Sequence, residues 1–140
     1  MDDRIRARLP YFAVAALCGA IGIYLAVSRG GEAKLMRAGE DVRTGRHVQA
    51  LAELDGLGGQ ATGRAAALRG YAHAGRRQYE RAVVELSAAA RRSPNDWVLQ
   101  RDYAIVLRGL GRRAKARARM QRALALNPRL QLPPGFRPAG

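Results

Sequence analysis

The stretch that decides the fold runs from residue 61 to residue 128. Its first half, residues 61–94, reads ATGRAAALRGYAHAGRRQYERAVVELSAAARRSP. Its second half, residues 95–128, reads NDWVLQRDYAIVLRGLGRRAKARARMQRALALNP. Each half is 34 residues long and ends in a proline, at Pro94 and at Pro128. A fixed period of this length is typical of proteins that stack one supersecondary unit on the next, so we expect the two halves to fold alike.

Small residues occupy matching positions in the two halves. Gly70 aligns with Ala104, Ala82 with Ala116, Leu86 with Met120 and Ala89 with Ala123. A weaker copy precedes them, because residues 45–50 (GRHVQA) match the spacing of residues 111–116 (GRRAKA). Three copies are near the minimum that can bury a common core.

The hydrophobic periodicity of the copies is helical. Apolar side chains recur at three- and four-residue steps, as at Leu99, Tyr103, Val106, Leu107 and Leu110. No stretch shows sustained alternation of apolar and polar residues, which argues against a sheet. We therefore predict an all-α fold with six helices, at about residues 32–43, 46–57, 61–74, 78–92, 95–109 and 112–126.

These features resemble the tetratricopeptide repeat family, whose unit is a pair of antiparallel helices. The resemblance implies an α-solenoid of about three such hairpins over residues 32–128, with repeats at about 32–60, 61–94 and 95–128. The packing signature of the family falls on small residues and closing prolines: Gly70, Ala82, Ala89, Pro94, Ala104, Ala116, Ala123 and Pro128. Ala66 and Gln100 depart from it, since the family commonly has tryptophan there. The turn glycine of the middle repeat comes two residues early, at Gly75, which predicts a longer or frayed turn.

In this family the first helices of the pairs line a concave groove that holds a partner segment. The resemblance places Arg64, Tyr71, Arg101 and Arg108 in that groove. The planar fork of arginine grips a carboxylate bidentately, so we expect an acidic or carboxylate-bearing protein segment as the partner. The alternative interpretation is that these arginines are ordinary solvated surface.

The amino-terminal segment indicates a membrane anchor. Residues 1–8 are a polar tail, whereas residues 9–28 contain no charged side chain and are long enough to span a bilayer as a helix. We therefore predict a single-pass transmembrane helix at 9–28. A cleaved signal peptide is the main alternative, because Ala26 and Ser28 could precede a cleavage site. Cys18 does not fit a lipoprotein signal, since bulky Leu17 precedes it.

Small residues form one stripe on that predicted transmembrane helix, at Ala15, Gly19, Gly22 and Ala26. Such a stripe lets two helices approach closely in lipid, so it predicts packing against another membrane helix, from a partner or from a second copy of the chain. Arginines flank both ends of the segment, and we expect the repeat domain to lie outside the cytoplasm.

The charge of the chain suggests an alternative function. Lys+Arg is 25 against Asp+Glu 11, a formal net charge of +14. A positive field attracts anionic lipid and nucleic acid, so the alternative to a peptide groove is a cationic surface binder, although we expect a protein partner rather than nucleic acid. No enzyme is indicated: His47 and His73 lack carboxylate or cysteine neighbours at ligand spacing, and the sequence predicts no catalytic, cofactor or metal site.

The last residues have a different composition. Residues 129–140 are rich in proline and glycine, which predicts an extended tail. Leu130, Leu132 and Phe136 could fold back over the final helix as a cap, because the end of a solenoid exposes apolar surface. The layout resembles bacterial accessory proteins of the cell envelope, and we predict a stoichiometric, membrane-anchored interaction scaffold or accessory subunit.

Overall fold

The structure, a computed structural model, describes residues 30–57 and 62–136. Within these two ranges it contains six α-helices and no strand. The helices are α1 (30–43), α2 (His47–Asp55), α3 (Gly63–Gly75), α4 (Tyr79–Arg92), α5 (Trp97–Gly109) and α6 (Arg113–Leu126). All packing described below lies within the compact unit of residues 35–140.

The predicted transmembrane helix requires a correction. No helix in the described part of the chain is both long and apolar enough to cross a bilayer. Helices α4 and α6 have only 14 residues, whereas a span needs about 20, and both carry charged side chains along their length. The fold class is thus all-helical without a membrane-spanning helix among residues 30–57 and 62–136, and the predicted single-pass membrane localisation is not supported.

The segment on which that prediction depended, residues 9–28, lies outside the described residues. The same holds for its small-residue stripe, Ala15, Gly19, Gly22 and Ala26, and for the polar tail at 1–8.

Three turns of the same type connect α1 to α2, α3 to α4 and α5 to α6. One residue in each has a positive φ: Gly45 at 78°, Arg77 at 59° and Gly111 at 72°. In the last turn the N–H of Gly111 donates to the carbonyl of Arg108 (2.8 Å), and the N–H of Arg112 donates to Leu107 (2.9 Å). The same pair of hydrogen bonds recurs in the other two turns, and it defines the Schellman motif that ends a helix.

The middle turn corrects the prediction made from Gly75. Helix α3 continues through Gly75, and Arg77 takes the left-handed position that glycine takes in the other two turns. The turn is therefore neither longer nor frayed. Its hydrogen bonds, from Arg77 to Ala74 (2.9 Å) and from Gln78 to His73 (2.9 Å), match those of the glycine turns.

Arg77 gives a direct stability prediction. A left-handed conformation costs an L-residue about 1–2 kcal/mol, whereas glycine adopts it freely but loses more entropy on folding. We expect Arg77→Gly to raise the free energy of unfolding by roughly 0.5–1 kcal/mol, measured by urea denaturation. The matched control is Arg76→Gly, one residue earlier, where φ is −83° and glycine offers no relief. An increase in stability for Arg76→Gly equal to that for Arg77→Gly would contradict the explanation.

A small residue faces a large one inside each hairpin. The pairs are Ala38 with Leu54, Gly70 with Leu86, and Ala104 with Met120, and all six residues are buried. Gly70 packs tightly against its partner, because a Cβ built on it would lie 2.6 Å from Cγ of Leu86. In every pair the two residues are 16 positions apart in the sequence. The pairs therefore set the same register between the two helices of each hairpin.

Separate clusters of buried side chains join each hairpin to the next. Leu35, Ala38 and Leu54 pack with Ala65 of α3, which joins the first hairpin to the second. Leu86 and Ala89 of α4 share a cluster with Leu99 and Tyr103 of α5, which joins the second to the third. The other signature alanines, Ala82, Ala104, Ala116 and Ala123, are also buried. Pro94 and Pro128 are exposed and follow the ends of α4 and α6.

The carboxyl-terminal segment covers the last hairpin. Leu130, Leu132 and Phe136 pack against the buried side chains of Ala104, Met120 and Ala123. Without this segment the end of the array would expose that apolar surface. The segment occupies the position expected of a terminal cap.

Candidate interaction surface

The four residues predicted to line a groove lie on α3 and α5, the first helices of the second and third hairpins. Arg64 and Tyr71 are on α3, seven residues apart, and Arg101 and Arg108 are on α5, also seven apart. A seven-residue step is close to two helical turns, so each pair lies on one side of its helix. In the structure a third residue lies between Tyr71 and Arg101, whereas Arg108 contacts the carboxyl-terminal segment.

Asp102 is the residue that joins the two helices. The carboxylate of Asp102 lies beside the hydroxyl of Tyr71, where it can accept a hydrogen bond from the protonated phenol. The pKa of Tyr71 is raised above its ordinary value, first by burial and then by the charge of Asp102 and this hydrogen bond. At neutral pH the phenol is therefore protonated.

Arg101 lies on the other side of the same carboxylate. Its Nε and Nη2 atoms lie 2.8 Å and 2.7 Å from Oδ1 of Asp102. Its guanidinium carbon also lies 5.5 Å from the ring centroid of Trp97, within the range of a cation–π contact. These contacts use one edge of the guanidinium. The opposite edge, at Nη1, makes no hydrogen bond with the residues that the structure describes.

The resulting cluster consists of Tyr71, Trp97, Arg101 and Asp102, and we call it the α3–α5 cluster. Arg101 and Asp102 are both partly exposed, with side-chain exposures of 31% and 24%. Mutual contacts hold these side chains in place while part of each still faces solvent. Such a preorganised polar and aromatic surface can bind a partner without first ordering its own side chains.

Sequence reasoning missed Asp102. The family register directs attention to residues 98, 101, 105 and 108 of α5 and passes over position 102. One signal could have found it, because Asp102 is the only acidic residue in α5 and directly follows Arg101. An isolated acid beside a cation on an otherwise apolar and basic helix suggests a specific pairing.

Arg108 is held by the carboxyl-terminal segment. Its Nη1 donates to the carbonyl oxygen of Pro134 at 2.7 Å, and its guanidinium carbon lies 5.3 Å from the ring centroid of Phe136. Gly135, with a φ of 85°, lies against the same guanidinium, and a Cβ there would overlap it. Arg108 therefore does not extend the α3–α5 cluster, contrary to what a single groove of four residues would require.

An apolar side chain lies between the two arginines of α5. Ile105 is 42% exposed and follows Arg101 by one helical turn. With Arg108, Pro133, Pro134 and Phe136 it lines an open depression of about 500 Å³. The exposed side of α5 thus presents a polar cluster at one end and an apolar depression at the other.

Arg64 lies in the first turn of α3 and is exposed. The helix begins at Thr62, whose hydroxyl accepts a hydrogen bond from the N–H of Ala65 at 3.1 Å. This cap fixes where the helix starts and hence the side on which Arg64 lies.

The two histidines lie at the carboxyl-terminal end of α3. Nδ1 of His73 is 2.8 Å from Oε1 of Gln78, across the middle turn. The ring of His47 lies against Gly75, where an added Cβ would overlap it. Within residues 30–57 and 62–136, no group of three or more His, Cys, Asp or Glu side chains could hold a metal ion.

Comparison with known proteins identifies no relative: no protein-family model, curated protein or solved structure matches this chain.

Proposed function

We propose that the chain is a protein-interaction scaffold of the tetratricopeptide-repeat type, which binds a segment of a partner protein along the exposed side of α3 and α5. The observation that carries the proposal is the α3–α5 cluster. Two aromatic rings, a guanidinium and a carboxylate from two different hairpins hold one another in place at a partly exposed surface. Tyrosine, tryptophan and arginine are the side chains that most often dominate binding energy at protein interfaces.

The repeat architecture supports the same function. Three hairpins with equivalent Schellman turns and equivalent small–large pairs form the described array. Stacked helical pairs of this kind generally present extended surfaces to other proteins.

The charge of the cluster suggests the chemistry of the partner. The Nη1 edge of Arg101 has two N–H donors that the described residues do not use, and a carboxylate is their best acceptor. Asp102 sits at the opposite edge, so it would repel a second carboxylate there. We therefore expect a segment that places one carboxylate, from an acidic side chain or a chain terminus, beside Arg101 and an apolar side chain against Ile105.

The proposal can be tested with a labelled peptide. The probe is a fluorescein-labelled octapeptide with alternating Glu and Leu and a free carboxyl terminus, and binding to the full chain is followed by fluorescence anisotropy. We expect Arg101→Gln to weaken binding about tenfold, because the charge-assisted contact is lost while the amide keeps much of the side-chain volume. Tyr71→Ala should weaken it similarly by releasing Asp102.

The matched control is Arg91→Gln, which removes the same charge from an exposed site at the end of α4. Equal weakening by Arg91→Gln and Arg101→Gln would argue against a specific site. A linear and steep fall of log affinity with log salt concentration in all variants would instead indicate the cationic surface binder predicted as the alternative.

A further inference from the structure

The third hairpin carries a second basic feature, separate from the α3–α5 cluster. An open cleft of about 770 Å³ lies between the end of α5, the start of α6 and the carboxyl-terminal segment. Arg108, Arg113 and Arg117 line it, together with Phe136, and no acidic side chain among the described residues does so. Three arginines therefore border one cleft that no acidic residue of the described ranges borders.

Of these three guanidinium groups, those of Arg113 and Arg117 have the fewest partners. They are four residues apart on α6, so their side chains are neighbours on one face of the helix and repel each other. Neither side chain makes a hydrogen bond or an ion pair with any residue that the structure describes. The adjacent Arg112 is different, because it pairs with Glu80 at 2.7 Å and so occupies that nearby carboxylate.

The start of α6 adds to the positive potential. The helix has no side-chain cap and no acidic residue in its first turn. The positive end of its dipole is thus left without the negative partner that usually stabilises it. An anion bound here would supply the missing negative charge at the start of the helix, and it would also reduce the repulsion between Arg113 and Arg117.

Arg108, which also lines the cleft, is held in position by the carboxyl-terminal segment. The carbonyl of Pro134, the ring of Phe136 and the close contact with Gly135 hold its guanidinium. A preorganised guanidinium loses little entropy when it binds a ligand, unlike a free surface arginine.

We infer that this cleft is a binding site for a dianionic phosphate group, held by Arg113 and Arg117 and faced by Arg108. A phosphate monoester has three terminal oxygens and close to two negative charges at neutral pH. It matches two unpaired guanidinium groups and a helix amino terminus better than a carboxylate does, since a carboxylate offers only two oxygens and one charge. The inference does not depend on peptide binding at the α3–α5 cluster.

The test uses inorganic phosphate and the full chain. Backbone amide NMR shifts are followed as phosphate replaces chloride at constant ionic strength. We expect saturable shifts at the start of α6 and around residues 108 and 135. The Arg113→Gln/Arg117→Gln double variant should bind about tenfold more weakly or worse, because both charge-assisted contacts are lost. Its circular dichroism should match that of the parent chain, since both side chains are exposed.

The control variant removes two positive charges outside the cleft, by Arg91→Gln and Lys115→Gln. It should bind phosphate nearly as well as the parent chain. Shifts that do not saturate, or equal weakening in both double variants, would overturn the inference, because only the overall charge would then matter.

Two further measurements identify the source of the phosphate. If a Gly–phosphoserine–Gly tripeptide binds at least tenfold more tightly than inorganic phosphate, the site recognises a phosphorylated polypeptide. If the two bind equally, it recognises free phosphate or a small ester. Lowering the pH from 7.5 to 5 should weaken tripeptide binding several-fold, since the phosphate passes through its second pKa near 6 and loses a charge. Binding that is unchanged by pH would contradict a site for a dianion.

Discussion

Replacing Leu86 with alanine should lower the free energy of unfolding by about 3 kcal/mol, within the range of 2–5 kcal/mol typical of such changes in a core. Leu86 has an exposure of 0% and belongs to the cluster that joins the second hairpin to the third. The surrounding side chains come from several helices and can fill the vacated space only in part. Urea denaturation followed by circular dichroism measures the effect.

A double-mutant cycle with Gly70 tests whether Leu86 packs closely against Gly70. Gly70→Ala alone should cost roughly 1–3 kcal/mol, because the added Cβ would lie 2.6 Å from Cγ of Leu86 and 3.3 Å from its backbone nitrogen. In the Leu86→Ala background the close contact with Cγ is absent. There the same change should be neutral or stabilising by up to about 1 kcal/mol, the helix preference of alanine over glycine. Additive effects in the two backgrounds would show that this contact does not set the register of the hairpin.

The second large effect is expected at the carboxyl-terminal segment. Leu132→Ala together with Phe136→Ala should destabilise the chain by about 2–4 kcal/mol, since both side chains are partly buried against Ala104, Met120 and Ala123. Urea denaturation provides the measurement. The matched control, Gln131→Ala, changes an exposed residue of the same segment and should have almost no effect. Equal losses for the control and the double variant would mean that the segment is not a cap.

The helices of this fold could be predicted from the sequence because the relevant signals are local. Each predicted helix overlaps an observed one, and the left-handed glycines at positions 45 and 111 stand where the helices turn. Arg77 could not be predicted in the same way. The hydrogen bonds of the middle turn require a positive φ whatever residue is present, so the glycine at position 75 misplaced the turn.

Residues that make contacts between helices are harder to predict from the sequence. Gln100 interrupts the family pattern and looks like a surface residue, yet it is only 1% exposed. Its amide donates to the carbonyl of Pro94 at 3.2 Å and accepts from Arg119 at 3.3 Å. Likewise, the importance of Asp102 depends on Tyr71, a residue 31 positions earlier in the chain. Such partners are distant in sequence, so periodicity carries no information about them.

The four predicted groove residues, three arginines and one tyrosine, illustrate the same limit. Helical register predicts one cationic groove in which Arg64 and Tyr71 come from one helix and Arg101 and Arg108 from another. The structure separates them, because Arg101 is paired with Asp102 whereas Arg108 is held by Pro134 and Phe136. Contact with the carboxyl-terminal segment is what distinguishes Arg108 from Arg101. The proline-rich sequence of that segment does not predict where it packs.

The three equivalent turns have a consequence for how proteins of this kind diverge in length. Each hairpin closes through hydrogen bonds and a small–large pair that are its own, and clusters of buried side chains among the described residues join it to the hairpin beside it. Duplication or deletion of one whole unit therefore leaves the closing contacts inside every other hairpin unchanged, provided that the last unit keeps its covering segment. Gain or loss of a whole hairpin in the gene thus disrupts far fewer contacts of this architecture than an insertion inside a helix.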